Sequence, residues 1–484
     1  MKERLLLLTM LFATTVIGAV AQQRDSLFNV PDTAQVLTIQ ELYESILKNH
    51  PVAKQAWLLS EVARQEIRLA RGNFDPKLEA ELVQKKYKGK EYYSIFNGNL
   101  SIPTIVPLNP SVGIDHNTGS YLNPERYTDP AYYNQQFYAG LSIPLGRGLI
   151  TDERRTALRQ AEIFKEMTEA EQVSTINKLL LDATKQYWDW YYAYYNFRLL
   201  ANSAVIADDI FQRVKNNFLF GEAAAIDTVM AHINRQQRSI EKQQAFLDLT
   251  NAGVTLSAML WDNDGHPLQL DLSWVPVLQP DTQVLTKEEL NQLSDLAKAN
   301  HPELKKMDGS IRQLEVEKRL AREVLKPTLN FNYYAINQPL NPEGIAPLTL
   351  NNNYKLGIDF SFPLFLRKER AKLALTQLKI TNARLKLSQK EREIINNLTA
   401  TFNELVNLQS IIVGQRDMIT GFERLLAAEL SNLEQGESDL FRINLQQERL
   451  IQTQSKWLKS MAENEKYKAQ LYWAAGTNRL AASN

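Results

Sequence analysis

The stretch Tyr354-Lys355-Leu356-Gly357-Ile358-Asp359-Phe360-Ser361-Phe362-Pro363-Leu364 decides the fold. Leu356, Ile358, Phe360 and Phe362 alternate with Lys355, Gly357, Asp359 and Ser361, so one face of a strand is apolar and the other polar. Beyond Pro363 the chain runs from Lys368 to Gln435, 68 residues, without a proline. That length predicts a helix of about 100 Å at 1.5 Å rise per residue. A helix so long cannot fold into a compact core and has to lie beside others in a coiled-coil arrangement. Leu398, Phe402, Leu405, Leu408, Ile411-Ile412, Ile419, Phe422 and Leu425-Leu426 mark its seam at three- and four-residue steps.

The same plan occurs earlier in the chain. Leu37-Thr38, His50-Pro51, Pro76, Ile143-Pro144-Leu145 and Gly221 precede Leu285-Thr286, His301-Pro302, Pro327, Phe362-Pro363-Leu364 and Gly436 in the same order. An internal repeat on this scale sets the architecture before any local reading does. In the first copy Leu78, Ala80 and Leu82 alternate with charged neighbours, and Phe137, Ala139, Leu141 and Ile143 alternate before Pro144. The second copy adds Leu329, Phe331 and Tyr333 between Thr328, Asn330 and Asn332. A soluble sandwich strand alternates in the same way. Tyr87, Tyr92, Tyr93, Phe96, Tyr132, Tyr133, Tyr333, Tyr334 and Tyr354 crowd the strand ends, as an interfacial aromatic girdle requires, and favour a barrel in lipid.

Each copy is read as two strands joined by a polar loop, about 98–131 and about 337–353, both rich in proline. Four strands cannot close a barrel, and lipid tolerates no open edge, so several chains must combine. After each pair of strands come a long helix, a glycine turn and a return helix, about 151–260 and 368–475 in all. Gly221 and Gly436 sit where a left-handed cap residue is expected. The aromatic run Tyr187, Trp188, Trp190, Tyr191, Tyr192, Tyr194, Tyr195 and Phe197 is expected to pack a helix seam. Gly146-Arg147-Gly148 is expected to bend strand into helix.

Residues 1–21 read as a secretory signal: Lys2 and Arg4, an apolar core, then Ala19-Val20-Ala21. Its removal takes two of 55 basic and one of 55 acidic residues, leaving a near-neutral chain with no pull toward nucleic acid. With no cysteine there is no disulfide framework, thiolate metal site or lipidated cysteine. His50, His116, His232, His266 and His301 are scattered and do not read as metal ligands. No H-E-x-x-H, P-loop, G-x-S-x-G or dinucleotide fingerprint occurs, so neither enzyme chemistry nor a cofactor is expected. The domain reading is 22–261 as the first repeat (strands about 76–145), 262–285 as a connecting, equatorial segment, 286–475 as the second repeat (strands about 327–364), and 476–484 as a tail.

This duplicated order resembles the TolC family of outer-membrane efflux proteins over nearly the whole chain after the signal. The more specific pieces are Asn49-His50-Pro51 with Asn300-His301-Pro302, Ser142-Ile143-Pro144-Leu145 with Ser361-Phe362-Pro363-Leu364, and Phe220-Gly221-Glu222 with Gln435-Gly436-Glu437-Ser438-Asp439-Leu440. The resemblance implies an α+β fold: a trimeric outer-membrane β-barrel, four strands per chain, continued by a long α-helical coiled-coil periplasmic barrel. It implies a homotrimer working with a periplasmic adaptor protein and an inner-membrane transporter. The function it implies is passive conduction from that pump to the exterior. Gly221 and Gly436 would be the periplasmic tip turns. Asp227, Asp439, Glu222, Glu437 and Arg442 would be gate or adaptor contacts, or else helix caps facing solvent. The competing readings are a conduit for type I protein secretion and a coiled-coil scaffold without a pore.

Overall fold

The computed structural model describes residues 35–277, 286–337 and 353–477, except 222 and 436. The signal at 1–21, the 278–285 part of the connecting segment and the 478–484 part of the tail lie outside the described residues. The chain divides into two compact units, one of residues 1–57, 172–302 and 390–484 and one of 58–171 and 303–389.

The second unit carries one antiparallel sheet. Its strands are β2 (Lys77–Tyr87), β3 (Lys90–Ser101), β4 (Asn109–Thr118), β5 (Gln135–Pro144), β7 (Thr328–Asn337) and β8 (Tyr354–Ser361), hydrogen-bonded in that order. The expected alternation of β2, β5, β7 and β8 is present. The count differs, because six strands occur among the described residues where four were expected. Of the two extra strands, β3 only reaches into the segment read as a loop, about 98–131, and β4 lies wholly inside that segment. Its prolines made it look irregular, yet Pro103 and Pro107 lie in the connection between β3 and β4. Pro124 and Pro130 each open a 3-10 turn between β4 and β5, and Pro110 sits one residue into β4. A two-residue turn at Lys88 and Gly89, φ 50° and 76°, joins β2 to β3; positive φ at both positions matches the strand twist.

Helices enter and leave this sheet at fixed bends. Gly146 needs its missing side chain, since a Cβ there would lie 2.1 Å from the Pro327 carbonyl oxygen. Gly148 follows at φ 98°. The buried Glu323 carboxylate accepts from the Gly148 and Ile150 amides, each at 3.3 Å, and from Lys326 at 2.7 Å. The expected strand-to-helix bend is therefore held by an acid from the other repeat. In the same unit Arg312 bonds Glu166 at 2.6 Å, and Lys306 binds Glu171 and Glu303. Burial alone would depress the Lys306 ammonium, but its two carboxylates hold it above its ordinary range.

In the first unit, α1 (Ile39–Asn49) opens with a capping box of Thr38 and Glu41, and α5 (Lys287–Asn300) with one of Thr286 and Glu289. These boxes satisfy orphan amides from both directions. His50 and His301 end the two helices, and the following helices α2 (Pro51–Gly72) and α6 (Pro302–Glu323) each have 22 residues. The paired caps support the internal repeat. Each copy continues into a long helix, α3 (Glu153–Leu219, 67 residues) and α7 (Arg367–Glu434, 68 residues). The return helices are α4 (Ala225–Ser257) and α8 (Leu440–Ala474).

Trp190, Tyr187, Tyr191 and Tyr195 are almost fully buried with Leu42, Ile46 and Leu256, so the aromatic run is core, as expected. Two of the hydroxyls find partners, Tyr187 donating to the Leu37 carbonyl at 2.9 Å and Tyr195 to that of Pro276 at 3.2 Å, while the buried Tyr191 hydroxyl has none among the described residues. Those carbonyls belong to β1 (Gln35–Leu37) and β6 (Trp274–Pro276), a parallel pair. The α7 seam is buried at Leu398, Phe402, Leu405, Leu408, Ile419 and Leu426, whereas Ile411 and Leu425 are exposed on the single chain.

Candidate channel surfaces and helix turns

The sheet separates two chemistries. Following direct cross-strand partners, one face carries Leu78, Ala80 and Leu82 on β2, Phe96 and Leu100 on β3, and Val112 and Ile114 on β4. It continues through Phe137, Ala139 and Leu141 on β5, Phe331 and Tyr333 on β7, and Leu356, Ile358 and Phe360 on β8. Leu78, Leu82, Ile358 and Phe360 are each more than 60 % exposed. Single exposed apolar residues are ordinary, but an unbroken apolar face is not. The opposite face is polar. Asn97 bonds Asp115 and, at 3.3 Å, the Tyr138 hydroxyl; Asn332 donates to Asp359 at 2.6 Å. Hydrocarbon outside and water inside is the arrangement that fits both faces. Among the described residues no helix is long and apolar enough to cross a membrane.

The second candidate region is the pair of helix turns. Gly221 has φ 77° and ends α3, its amide donating to Phe218 at 3.0 Å; this is the left-handed cap residue the sequence predicted. Asp227 accepts from the Ala224 amide at 3.3 Å in the first turn of α4. Asp439 caps α8, accepting from the Arg442 amide at 2.9 Å. Glu437 is exposed, its amide donating to Asn432 at 2.8 Å. Arg442 is exposed in the first turn of α8. Glu222 and Gly436 lie outside the described residues. Within one chain Asp227 and Asp439 thus act as helix caps. Phe220, Ile226 and Phe441 are largely exposed beside them.

The sequence reading missed a set of links farther along these helices. Arg238 on α4, with 5 % of its side chain exposed, pairs with Glu448 on α8 and, at 2.7 Å, with Glu241 on its own helix. Asn234 bonds Asn444 at 2.9 Å, and Arg235 bonds Asp208 of α3 at 2.6 Å. Spacing along one helix reveals the Arg238–Glu241 pair, but nothing local reveals Glu448. Asp262, Asp264 and His266 bring their ligand atoms together in a loop. There Asp262 accepts the amides of His266 at 2.7 Å and Asp264 at 3.0 Å, so the group is a hydrogen-bonded turn.

No family model matches the sequence, and no curated relative does. Solved structures do match. The Campylobacter jejuni CmeC outer membrane channel has a TM-score of 0.61 at 12 % identity, covering 90 % of this chain and 85 % of that one. The Vibrio cholerae outer membrane protein VceC has a TM-score of 0.62 at 12 % identity, covering 91 % and 96 %. The Neisseria gonorrhoeae MtrE outer membrane channel, solved in its open state, has 0.59 at 12 % identity, covering 91 % and 89 %. The chain has the α+β fold of these outer-membrane channels, over nearly its whole described length.

Proposed function

We propose that this protein is the outer-membrane channel component of a tripartite efflux system. It conducts substrates passively from an inner-membrane transporter and a periplasmic adaptor to the exterior, and it carries out no enzymatic reaction. It resides in the outer membrane as a homotrimer with a long periplasmic helical extension. The observation that carries this reading is the two-faced sheet: an apolar face continuous across six strands, backed by a polar one, with open edges. The likeness in fold to outer-membrane channels supports it.

The helix turns at Gly221 and Gly436 form the periplasmic end. Asp227, Asp439, Glu222, Glu437 and Arg442 act there as gate or adaptor contacts, and the exposed Phe220, Ile226 and Phe441 support contact with another chain. Opening moves these helices apart, and an adaptor favours opening by binding the open state better.

Single-channel conductance of the detergent-purified protein in planar bilayers tests this. The expected result is a small wild-type current that grows or changes cation selectivity in an Asp227→Ala, Asp439→Ala double variant. Unresponsive currents move the gate away from those acids. A water-soluble protein that never inserts overturns the channel and leaves a coiled-coil scaffold.

A further inference from the structure

The sheet has two unfinished edges among the described residues: β2 is paired to β3 alone and β8 to β7 alone. Each leaves a row of backbone amides and carbonyls without strand partners, which hydrocarbon does not tolerate. β2 follows α2 and β8 precedes α7, so Lys77 and Ser361 are the helix-side ends of two strands running in opposite directions. Placed edge to edge, β8 of one copy and β2 of the next continue an antiparallel ladder with no reversal.

The faces restrict how they meet. Leu78, Ala80 and Leu82 share the apolar face with Leu356, Ile358 and Phe360. Because side chains alternate, only registers differing by two residues keep that face continuous. Barrel tilt restricts them further. Direct partners lead from Leu78 through Leu100, Val112, Ala139 and Ala335 to Tyr354. In the next copy Tyr354 then meets residue 82, 84 or 86. Over six strand spacings of about 4.8 Å, at about 3.3 Å per residue, these choices give tilts of about 25°, 35° and 43°. Barrel strands tilt about 35–45°, which removes the first. Meeting Lys86 would oppose Lys355 to Lys85, set Gln84 against Leu356 on the apolar face and put Leu78 opposite Phe362, beyond the end of β8. Meeting Gln84 opposes Leu78 to Phe360, Ala80 to Ile358 and Leu82 to Leu356. Both registers set Asp359 against an acid on the water-facing side, so that contact does not discriminate.

We propose that β8 of one copy pairs with β2 of the next, Leu82 opposite Leu356, and that the closed barrel has eighteen strands. The seam follows from the sheet itself. The strand number rests on the homotrimer proposed above, three copies of six strands. At a tilt of about 35° the backbone radius is about 17 Å, against about 11 Å for twelve strands. The membrane pore is thereby wider than four strands per chain would make it.

The native chain has no cysteine, so paired cysteines report the seam directly. The full-length protein in outer-membrane vesicles would carry Leu82→Cys with Leu356→Cys. Ala80→Cys with Ile358→Cys provides a second pair in the same register. Leu82→Cys with Ile358→Cys and Ala80→Cys with Leu356→Cys provide the two shifted registers. Opposite residues lie about 5 Å apart and diagonal ones about 7–8 Å, so a short thiol-to-thiol linker separates the pairs. The expected result is a gel shift of either in-register pair to dimer and then trimer, with no larger species, while shifted pairs and single cysteines stay monomeric. Preferential linking of a shifted pair overturns the register. A trimer by native mass in which no pair links overturns the seam while leaving the trimer standing. A native mass of one chain overturns the trimer reading on which the strand number rests.

Discussion

Replacing Arg238 with alanine is expected to loosen α4 from α8 without unfolding the rest of the molecule. The guanidinium is nearly buried, while its partners Glu241 and Glu448 keep 29 % and 30 % of their side-chain surface. Breaking a fully buried pair costs about 3–5 kcal/mol because a charge is left stranded. Here both stranded carboxylates still reach water, so the cost falls to about 2–3 kcal/mol. Lost packing of the arginine stem is part of that figure. Local opening then becomes about 30- to 150-fold more frequent, since about 1.4 kcal/mol is a factor of ten. Hydrogen exchange read by mass spectrometry should show this over residues 230–245 and 440–455. Glu448→Gln keeps an acceptor and should cost about 1 kcal/mol. Arg238→Met, which keeps much of the stem's packing but strands the same two carboxylates, should cost less than alanine without returning to wild type. An Arg238→Ala, Glu448→Ala double variant should cost at least about 1 kcal/mol less than the two single alanine variants combined. Exchange changed less than about threefold, or strict additivity, would refute the interhelical link.

Alkaline stability gives a second expectation. Burial pushes Tyr43 and Tyr195 up to about 12 and raises Tyr187 and Tyr191 further. The fold therefore holds these phenols neutral. Their stabilisation is complete below the unfolded value near 10 and is lost as pH rises above it. Absorbance at 295 nm should show one class of tyrosine ionising near pH 10 and a second ionising only as helical circular dichroism is lost; a single early class would contradict the buried core. Gly476→Ala should lower the thermal midpoint, by about 2–4 kcal/mol in free energy. Gly476 sits at φ 74°, and an added Cβ would lie 2.7 Å from Pro302 Cδ and 2.9 Å from His301 Cα. An unchanged midpoint would mean that the end of α8 does not dock as described.

The helices were legible because their signals are local and long. Sixty-odd residues without proline and a glycine at the turn each act through neighbours a few residues away. Thr38 and Thr286 were read only as matching landmarks of the repeat, and their capping boxes came from the structure. β4 was not legible. The face it shares with the apolar side of the sheet offers only Pro110, Val112, Ile114 and His116, with Gly113 on the opposite face, and it becomes a strand only because β3 and β5 lie on either side. Gly113 itself is explained only by the fold, because the Tyr138 ring lies where its Cβ would be. Among the candidate gate residues the turn and cap geometry was readable from glycine and acid placement. The Arg238–Glu448 link was not, since its partners lie 210 residues apart.

Among the described residues the two repeats differ most in their strands: similar sets of helices accompany four in the first and two in the second. A hairpin is the smallest piece that can be gained or lost here, because two strands together restore the direction of the chain where one alone would reverse it. Bore and scaffold can therefore diversify on separate schedules. Lineages descended from one duplicated ancestor could enlarge or narrow the membrane opening a hairpin at a time, while the helices inherited with it stay unaltered.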